Sequence, residues 1–538
     1  MDLKASKVAQ SQKKRIAQEK LDALGHVDGQ EALKSPKPQT PQAPRKPPAP
    51  QKGQKDGQAG RSAPALAAQT VCLVSLGCPK NLVDSERLLG RCVDGLGLRP
   101  TAEPEQADLL LVNTCAFIQP AVEEAVETIL DLAARRKPGA RLVVAGCLAA
   151  RYGASLSREL SEADLLLAPA EYGQFAEKVS VLLGRRPPDS SGGPWAASFE
   201  QWARRTATPS WRAWLKAAEG CDNRCAYCLI PAIRGPLRPR PLDELLAEAQ
   251  ALVASGVKEL TLVAQDLTAW RGGLAGQARL AGGPKAQAGP KGPRGLAVRA
   301  EPAGDLALLA RELAAVPGLR WLRLMYAYPE RLAEKLVRAL ARIDGLTPYL
   351  DVPFQHASPN VLKRMGRGTG DALALTRRLR SWWPDLALRT TLMVGFPGET
   401  EEDFDQLVRL VEEGRFDQAG VFKFSPEEGA RAAGFAGQLP AAVKEKRRRT
   451  LMARQRKVSL ALNRARVGQR VEILVEGPAA ETDLVMTGRA SFQAPEVDGL
   501  IYFDGHQPRP GQLVQARLTG AGAYDLTACL EEFEGDAS

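Results

Sequence analysis

The stretch Trp214-Leu-Lys-Ala-Ala-Glu-Gly-Cys-Asp-Asn-Arg-Cys-Ala-Tyr-Cys228 decides the fold. Its first eight residues read as a short buried strand. The remainder reads as a loop carrying Cys221, Cys225 and Cys228 in the spacing C-x3-C-x2-C. A four-iron cube normally takes four thiolates. Three on one loop leave one iron corner for something that is not protein. That corner can chelate an amine and a carboxylate. S-adenosylmethionine offers both beside a sulfonium, which one electron can split to release a 5′-deoxyadenosyl radical. The protein's task is then binding, orientation and exclusion of side reactions. Zinc would need a fourth ligand. Of the three histidines, His26, His356 and His506, only His356 falls in this part of the chain, at a strand end.

Downstream, apolar runs recur with helical stretches between them. Strands are expected at 259–266 (ELTLVAQD), 319–328, 347–356, 386–398 and 419–429, with helices such as PLDELLAEAQALVASG and DALALTRRLRSWW. Six such repeats are too few for an eight-fold barrel. They predict a partial (β/α)6 barrel with its site at the carboxyl ends of the strands. Residues 271–304, rich in Gly, Ala and Pro, interrupt it and read as a disordered insert.

Upstream, VCLVSL, ADLLLVN and ARLVVAG read as buried parallel strands, with PAVEEAVETILDLAARR as a helix between two of them. This predicts an open α/β sheet. Cys78, Cys115 and Cys147 each close one of those apolar runs. Ligands in such sheets gather at the carboxyl ends of strands, so one βα unit between successive cysteines brings the three to one edge. A second three-thiolate cluster site is the reading; three core cysteines is the alternative. Cys72, Cys92 and Cys529 are expected to be ordinary buried or half-buried thiols.

The 538 residues suffice for about three domains. Nine cysteines, an odd number, with no hydrophobic leader and no apolar run near the length of a membrane span point to reduced thiols in the cytoplasm. The net charge of +11 is localised. Residues 1–68 carry 13 basic against 6 acidic residues, and 271–304 carry 6 against 1. Without these two segments the chain is near neutral, so its basic character gives no case for nucleic-acid binding. Residues 1–68 lack the apolar content to offset ordering entropy and read as a disordered basic tail.

Residues 440–466 read as a strongly basic linker helix, with 10 Lys and Arg against one acidic residue. From Val467 the pattern turns to short strands punctuated by Gly and Pro: RVEILVEG, LVMTGRASF, GLIYFDG and GQLVQARLTGAGAYDLTA. A small β-barrel of oligonucleotide-binding type is expected. It carries 4 basic and 12 acidic residues. Readers of nucleic acid neutralise phosphates with Lys and Arg, so this domain suits a basic protein better than tRNA.

C-x3-C-x2-C after a strand resembles the radical S-adenosylmethionine superfamily. Cys78-Pro-Lys-Asn81 with the following VDSE, Asn113-Thr-Cys115 and Gly146-Cys147 resemble the methylthiotransferase domain, and the C-terminal barrel resembles TRAM. SLGCPKNLVDSE, YLDVPFQHASPNVLKRMGRG, TTLMVGFPGETEEDF and RASFQAPEVDGLIY are similar to the branch of the methylthiotransferase family that modifies ribosomal protein S-twelve. Together these motifs span nearly all of 70–535. The domains expected are a tail (1–68), a methylthiotransferase domain (69–185), a linker (186–212), a radical core (213–439), a linker helix (440–466) and TRAM (467–538).

The resemblance implies two [4Fe-4S] clusters. A radical cluster would fall on Cys221, Cys225 and Cys228, and an auxiliary cluster holding the sulfur to be transferred on Cys78, Cys115 and Cys147. It implies S-adenosylmethionine used twice, as methyl donor and as radical source, and a low-potential electron donor. The product implied is 3-methylthioaspartate, formed at the β-carbon of an aspartate in S-twelve, free or within the small ribosomal subunit. A tRNA-adenosine methylthiotransferase is the alternative. Tyr227 is expected to pack on the nucleoside of the cofactor, with simple core packing as the competing role. Gln265, Pro353 and Gly395, at strand ends of the barrel, are expected to help hold the cofactor, or else to be structural.

Overall fold

The computed structural model describes residues 20, 69–187, 199, 203–272, 305–480, 482–504 and 508–531. The basic tail, apart from Lys20, and most of the 271–304 insert lie outside the described residues. The chain forms two compact units that are not contiguous in sequence. Of the described residues, one comprises those in 69–76, 87–116 and 120–203; the other comprises those in 77–86, 117–119 and 204–531.

The first unit is a parallel sheet of five strands: β1 (Thr70–Ser75), β2 (Arg99–Pro100), β3 (Leu109–Thr114), β4 (Arg141–Gly146) and β5 (Leu165–Leu167). Their spatial order is β2-β1-β3-β4-β5. The helices are α1 (Pro79–Gly90, whose first half belongs to the second unit), α2 (Gln119–Arg135), α3 (Cys147–Glu159) and α4 (Phe175–Leu182). β3 is buried along its whole length, as a strand covered on both faces must be. Val71, Leu109, Leu111, Val143 and Ala145 pack with Phe175 and Val179 of α4. β2 and β5, of two and three residues, are too short to leave a periodic signature in the sequence.

The second unit is built on six parallel strands in sequential order: β6 (Arg212–Lys216), β9 (Glu259–Val263), β10 (Trp321–Leu324), β11 (Leu346–Asp351), β12 (Ala387–Val394) and β13 (Gln418–Lys423). The sheet stays open between β6 and β13, as expected for a partial barrel. A two-stranded clasp, β7 (Ala218–Glu219) with β8 (Arg238–Pro239), follows β6. The helices are α5 (Ile230–Arg234), α6 (Leu242–Ala254), α7 (Asp305–Ala314), α8 (Glu334–Leu340), α9 (Pro359–Met365), α10 (Ala372–Trp382), α11 (Glu401–Gly414) and α12 (Ala441–Arg466).

The strands are shorter than their apolar runs. The run at 319–328 contributes only Trp321–Leu324 to the ladder, and 347–356 yields to loop after Asp351. The loops leaving the carboxyl ends are largely buried, so they carry strand-like composition with only isolated strand hydrogen bonds, such as the Gln355–Leu392 bridge.

α12 is a strut with a polar buried face: Lys444, Arg447, Leu451, Gln455, Ser459 and Asn463, three or four residues apart. Gln455 Nε2 donates to the Phe416 carbonyl at 2.7 Å, and Ser459 Oγ to the Asp417 carbonyl at 2.7 Å. These side chains satisfy backbone acceptors at the start of β13 that would otherwise be buried unmet.

The C-terminal strands β14 (Arg470–Ala479), β15 (Thr482–Ala490), β16 (Ile501–Phe503), β17 (Leu513–Ala521) and β18 (Leu526–Leu530) close a barrel in the order β14-β15-β16-β18-β17. Only β16 and β18 pair in parallel, as in oligonucleotide-binding folds. The sequence run GQLVQARLTGAGAYDLTA is two strands rather than one. Cys72 and Cys92 are buried, but Cys529 is exposed. It lies on β18, whose alternate residues point outward.

A buried ionic node joins the two barrels of this unit. Glu259 at the start of β9 takes Arg323 Nε at 2.9 Å and Arg489 Nη2, from β15, at 2.6 Å. Burial alone would raise the Glu259 carboxyl, but the two guanidiniums outweigh it and hold it down to about 2. Tyr349 Oη donates to Asp498 at 2.8 Å across the same junction.

Candidate radical-cluster site

After β6 the chain leaves the sheet, Ala217 N–H donating to the Val263 carbonyl. The β7–β8 clasp then holds the two ends of the cysteine loop together. Cys221 N–H donates to the Gly235 carbonyl at 3.1 Å. Gly220 has φ +72°, and a Cβ there would come within 2.1 Å of the Pro236 carbonyl oxygen, so glycine alone fits before the first cysteine. Asp222 Oδ1 accepts the Leu237 N–H at 2.9 Å, and Asn223 Nδ2 donates to Asp266 at 2.8 Å. The Ala226 N–H donates to the Met365 carbonyl at 2.7 Å, and the Ala226 carbonyl takes the Ala432 N–H at 2.9 Å. The backbone between the cysteines is thereby fixed from both sides.

Cys221 is buried, and Cys225 and Cys228 half-buried. Cys225 Sγ lies 3.8 Å from Tyr328 Oη, and Cys228 Sγ accepts the Ile230 N–H at 3.4 Å. Burial raises the Cys221 thiol and pushes the Cys228 thiol up to about 12. Thiols so placed become thiolates when a cation replaces the proton. Among the described residues, no three His, Cys, Asp or Glu side chains converge as a single metal ion would require. A cube makes a different demand, one thiolate per corner. Three thiols on one backbone-clamped loop at the carboxyl end of a parallel sheet fit that demand.

Tyr227 lies between Cys225 and Cys228, with Ala226, Met365 and Phe396 in its apolar cluster. Its hydroxyl takes Arg367 Nη1 at 3.4 Å. Arg367 also stacks 3.9 Å from the Tyr328 ring centre and donates to the Pro353 carbonyl at 3.0 Å. Arg367 falls within YLDVPFQHASPNVLKRMGRG, where nothing in the residue pattern distinguishes it from the other basic residues. Pro353 and Gln265 are half-buried just past the ends of β11 and β9. Gly395 is buried past β12, φ +74°, and its N–H donates to Glu399 Oε2 at 2.7 Å. A Cβ at 395 would lie 2.3 Å from Lys444 Cγ.

In the first unit, Thr114 and Gly146 are partners in the β3–β4 ladder. Cys115 and Cys147 therefore leave neighbouring strands at the same level. Gly146 has φ +101°, and a Cβ would meet Asn113 Oδ1 and the Thr114 carbonyl at 2.5 Å. Asn113 is fixed by the Tyr172 hydroxyl at 3.0 Å. Cys78 lies three residues beyond β1, in the segment 77–86 that packs with the second unit.

That segment is anchored by charges the sequence reading missed. Asp84 takes Lys216 Nζ and, at 2.6 Å, Arg234 Nη1; Glu219, beside the cysteine loop, takes Lys216 Nζ at 2.9 Å. Arg234 also donates to Asn81 Oδ1 at 2.9 Å. Glu86 takes Arg204, which bonds Glu248 at 2.7 Å, and Glu248 in turn takes Arg240 at 2.7 Å. Four acids face four bases, all of them at least mostly buried.

Comparison with known proteins agrees with this construction. Residues 215–411 match the radical SAM superfamily, 467–530 the TRAM domain, and 70–168 an uncharacterized protein family, UPF0004. A protein named ribosomal protein uS12 methylthiotransferase RimO from Anaeromyxobacter sp. (strain Fw109-5) is 45% identical over 467 residues, covering 86% of this chain and 93% of the relative. The protein of the same name from Geobacter sulfurreducens is 42% identical over 467 residues, covering 86% and 98%. Among solved structures, the radical S-adenosylmethionine methyltransferase TsrM from Kitasatospora setae aligns with a TM-score of 0.46 at 15% identity, over 68% of this chain and 77% of that one.

Proposed function

The chain belongs to the RimO family of radical S-adenosylmethionine methylthiotransferases, and from that premise we propose that it methylthiolates the β-carbon of an aspartate in ribosomal protein uS12, in the cytoplasm. The observation that carries the reading is the clamped loop presenting Cys221, Cys225 and Cys228 at the carboxyl end of the open barrel.

Those three thiols would hold one [4Fe-4S] cluster, and Cys78, Cys115 and Cys147 a second. Bound there with S-adenosylmethionine, the clusters supply homolytic hydrogen removal from unactivated carbon and a sulfur to put in its place. The chain's own residues set the stage. Gly220 and the β7–β8 clasp fix the thiols, and Arg367 ties Tyr227 and Tyr328 to the loop after β11. Asp84 and Glu86 hold the Cys78 segment to the barrel's unit. The acidic TRAM barrel suits a basic ribosomal protein, free or in the small subunit, and a low-potential donor is needed for the electron.

Mass spectrometry of uS12 and of tRNA from cells lacking this protein tests the reading. Loss of one methylthio group from uS12, with tRNA unchanged, is expected. Intact uS12 with hypomodified tRNA adenosine would reverse the assignment.

A further inference from the structure

Lys80 stands two residues after Cys78, in the first turn of α1. It is 7% exposed. Its ammonium lies 3.7 Å from the centre of the Tyr326 ring, and among the described residues it has no ion pair and no hydrogen-bond acceptor. An ammonium carries three donors; Asp351 and Cys78 attract it through space, but neither accepts a hydrogen bond from it, and buried donors left unmet are costly. The charged groups nearby have partners of their own. Lys216 and Arg234 are matched by Asp84 and Glu219. Asp351, at the end of β11, lies 3.7 Å from Arg389 and acts on Lys80 without coming within ion-pair distance of it. Asp498 takes Arg389 and Tyr349.

Tyr326 adds a second observation. Its φ is +65°, a left-handed conformation costly for an aromatic residue. It follows β10, at the same end of the barrel as the cysteine loop. An aromatic face attracts a cation but accepts no strong hydrogen bond, so it steadies the ammonium while leaving its donors for a ligand.

We propose that Lys80 binds the side-chain carboxylate of the aspartate being modified. This rests on the function proposed above. The reacting β-carbon is one bond from that carboxylate, so the cation that holds the carboxylate also fixes the carbon to be attacked. Specificity for aspartate follows, because a neutral side chain accepts more weakly from those ammonium donors than a carboxylate does.

The test uses reconstituted holoenzyme and purified uS12. Mass spectrometry first locates the modified aspartate; no methylthio product on uS12 would overturn the function itself rather than the role of Lys80. Wild-type enzyme is then given uS12 and a uS12 variant with asparagine at that position. It is expected to favour aspartate by at least about tenfold in both Kd and kcat/KM. K80M, checked for wild-type iron content, is expected to bring both ratios near one, and K80R to recover part of the preference. K80Q is judged by the same ratios if K80M binds less iron. A neutral variant that keeps the wild-type preference, or a wild-type enzyme that shows none, overturns the proposal.

Discussion

Arg234 of α5 and Asp84 of the 77–86 segment form a buried ion pair at 2.6 Å, 150 residues apart in sequence. Arg234 lies six residues beyond Cys228, and Asp84 six beyond Cys78, so one pair ties together the surroundings of two cysteines proposed as cluster ligands. Removing one partner of a buried pair costs about 3 to 5 kcal/mol, because the other charge is left uncompensated. Asp84→Asn, which leaves Lys216 and Arg234 to share Glu219 alone, is expected to lower the thermal midpoint by several degrees and to reduce iron uptake. Calorimetry and iron assay of the same preparation check this; an unchanged midpoint would mean the node contributes nothing.

The two groups of cysteines are expected to separate by function. Cys225→Ala should abolish cleavage of S-adenosylmethionine. Cys115→Ala should spare that cleavage and stop formation of methylthiolated uS12. Chromatography for 5′-deoxyadenosine beside mass spectrometry of uS12 reads both, and full product from Cys115→Ala would refute the division of labour.

Glu259 sets a pH limit on the junction between the barrels. Its folded-state value, about 2, lies below the ordinary 4.5. Its contribution of about 3 kcal/mol is therefore complete above pH 4.5 and lost as the pH falls toward 2. Glu259→Gln should be less stable than wild type at pH 7, with the gap narrowing below pH 4.5. Denaturant unfolding at several pH values measures it, and a gap independent of pH would contradict the ion-pair account.

Gly395 distinguishes a structural role from cofactor binding. Its N–H is committed to Glu399 and its Cβ direction to Lys444. Gly395→Ala is expected to cost about 1 to 3 kcal/mol through overpacking and strain, leaving the KM for S-adenosylmethionine within about twofold. A raised KM at unchanged stability would instead support a cofactor-binding role for Gly395.

Residues 1–68 contribute no cluster ligand, and their deletion should leave turnover on isolated uS12 largely intact. Steady-state assay of the truncated enzyme checks this, and complete loss of turnover would contradict the reading of a disordered tail.

The architecture was legible where burial repeats at fixed intervals. β1, β3 and β4 announced themselves as apolar runs ending in cysteine, and β6 and β9–β13 as six repeats of one unit. What escaped was polar. The buried face of α12 is Lys444, Arg447, Gln455, Ser459 and Asn463 around a single leucine, which reads in sequence as a solvated helix. Asp84, Glu86, Lys216 and Arg234 look like surface charges until each is matched with a partner far along the chain. Such pairings have no period, so composition and spacing cannot reveal them. Cys529 was misjudged for a related reason: β18 alternates, and thiol chemistry alone does not say which side a residue takes.

The anchoring of Asp84 also bears on how the polypeptide is made. Lys216, which neutralises it, follows 132 residues later. At about 5 to 20 residues per second, the ribosome exposes the carboxylate for some 7 to 26 s before the ammonium that matches it emerges. Until then, the stretch bearing Cys78 has none of the barrel partners that hold it in the finished enzyme. On the proposed assignment of Cys78 to a cluster, metal loading during translation would meet a nascent chain in which that cysteine is not yet anchored, and iron and sulfide are expected to be delivered after the 77–86 segment has found its partners.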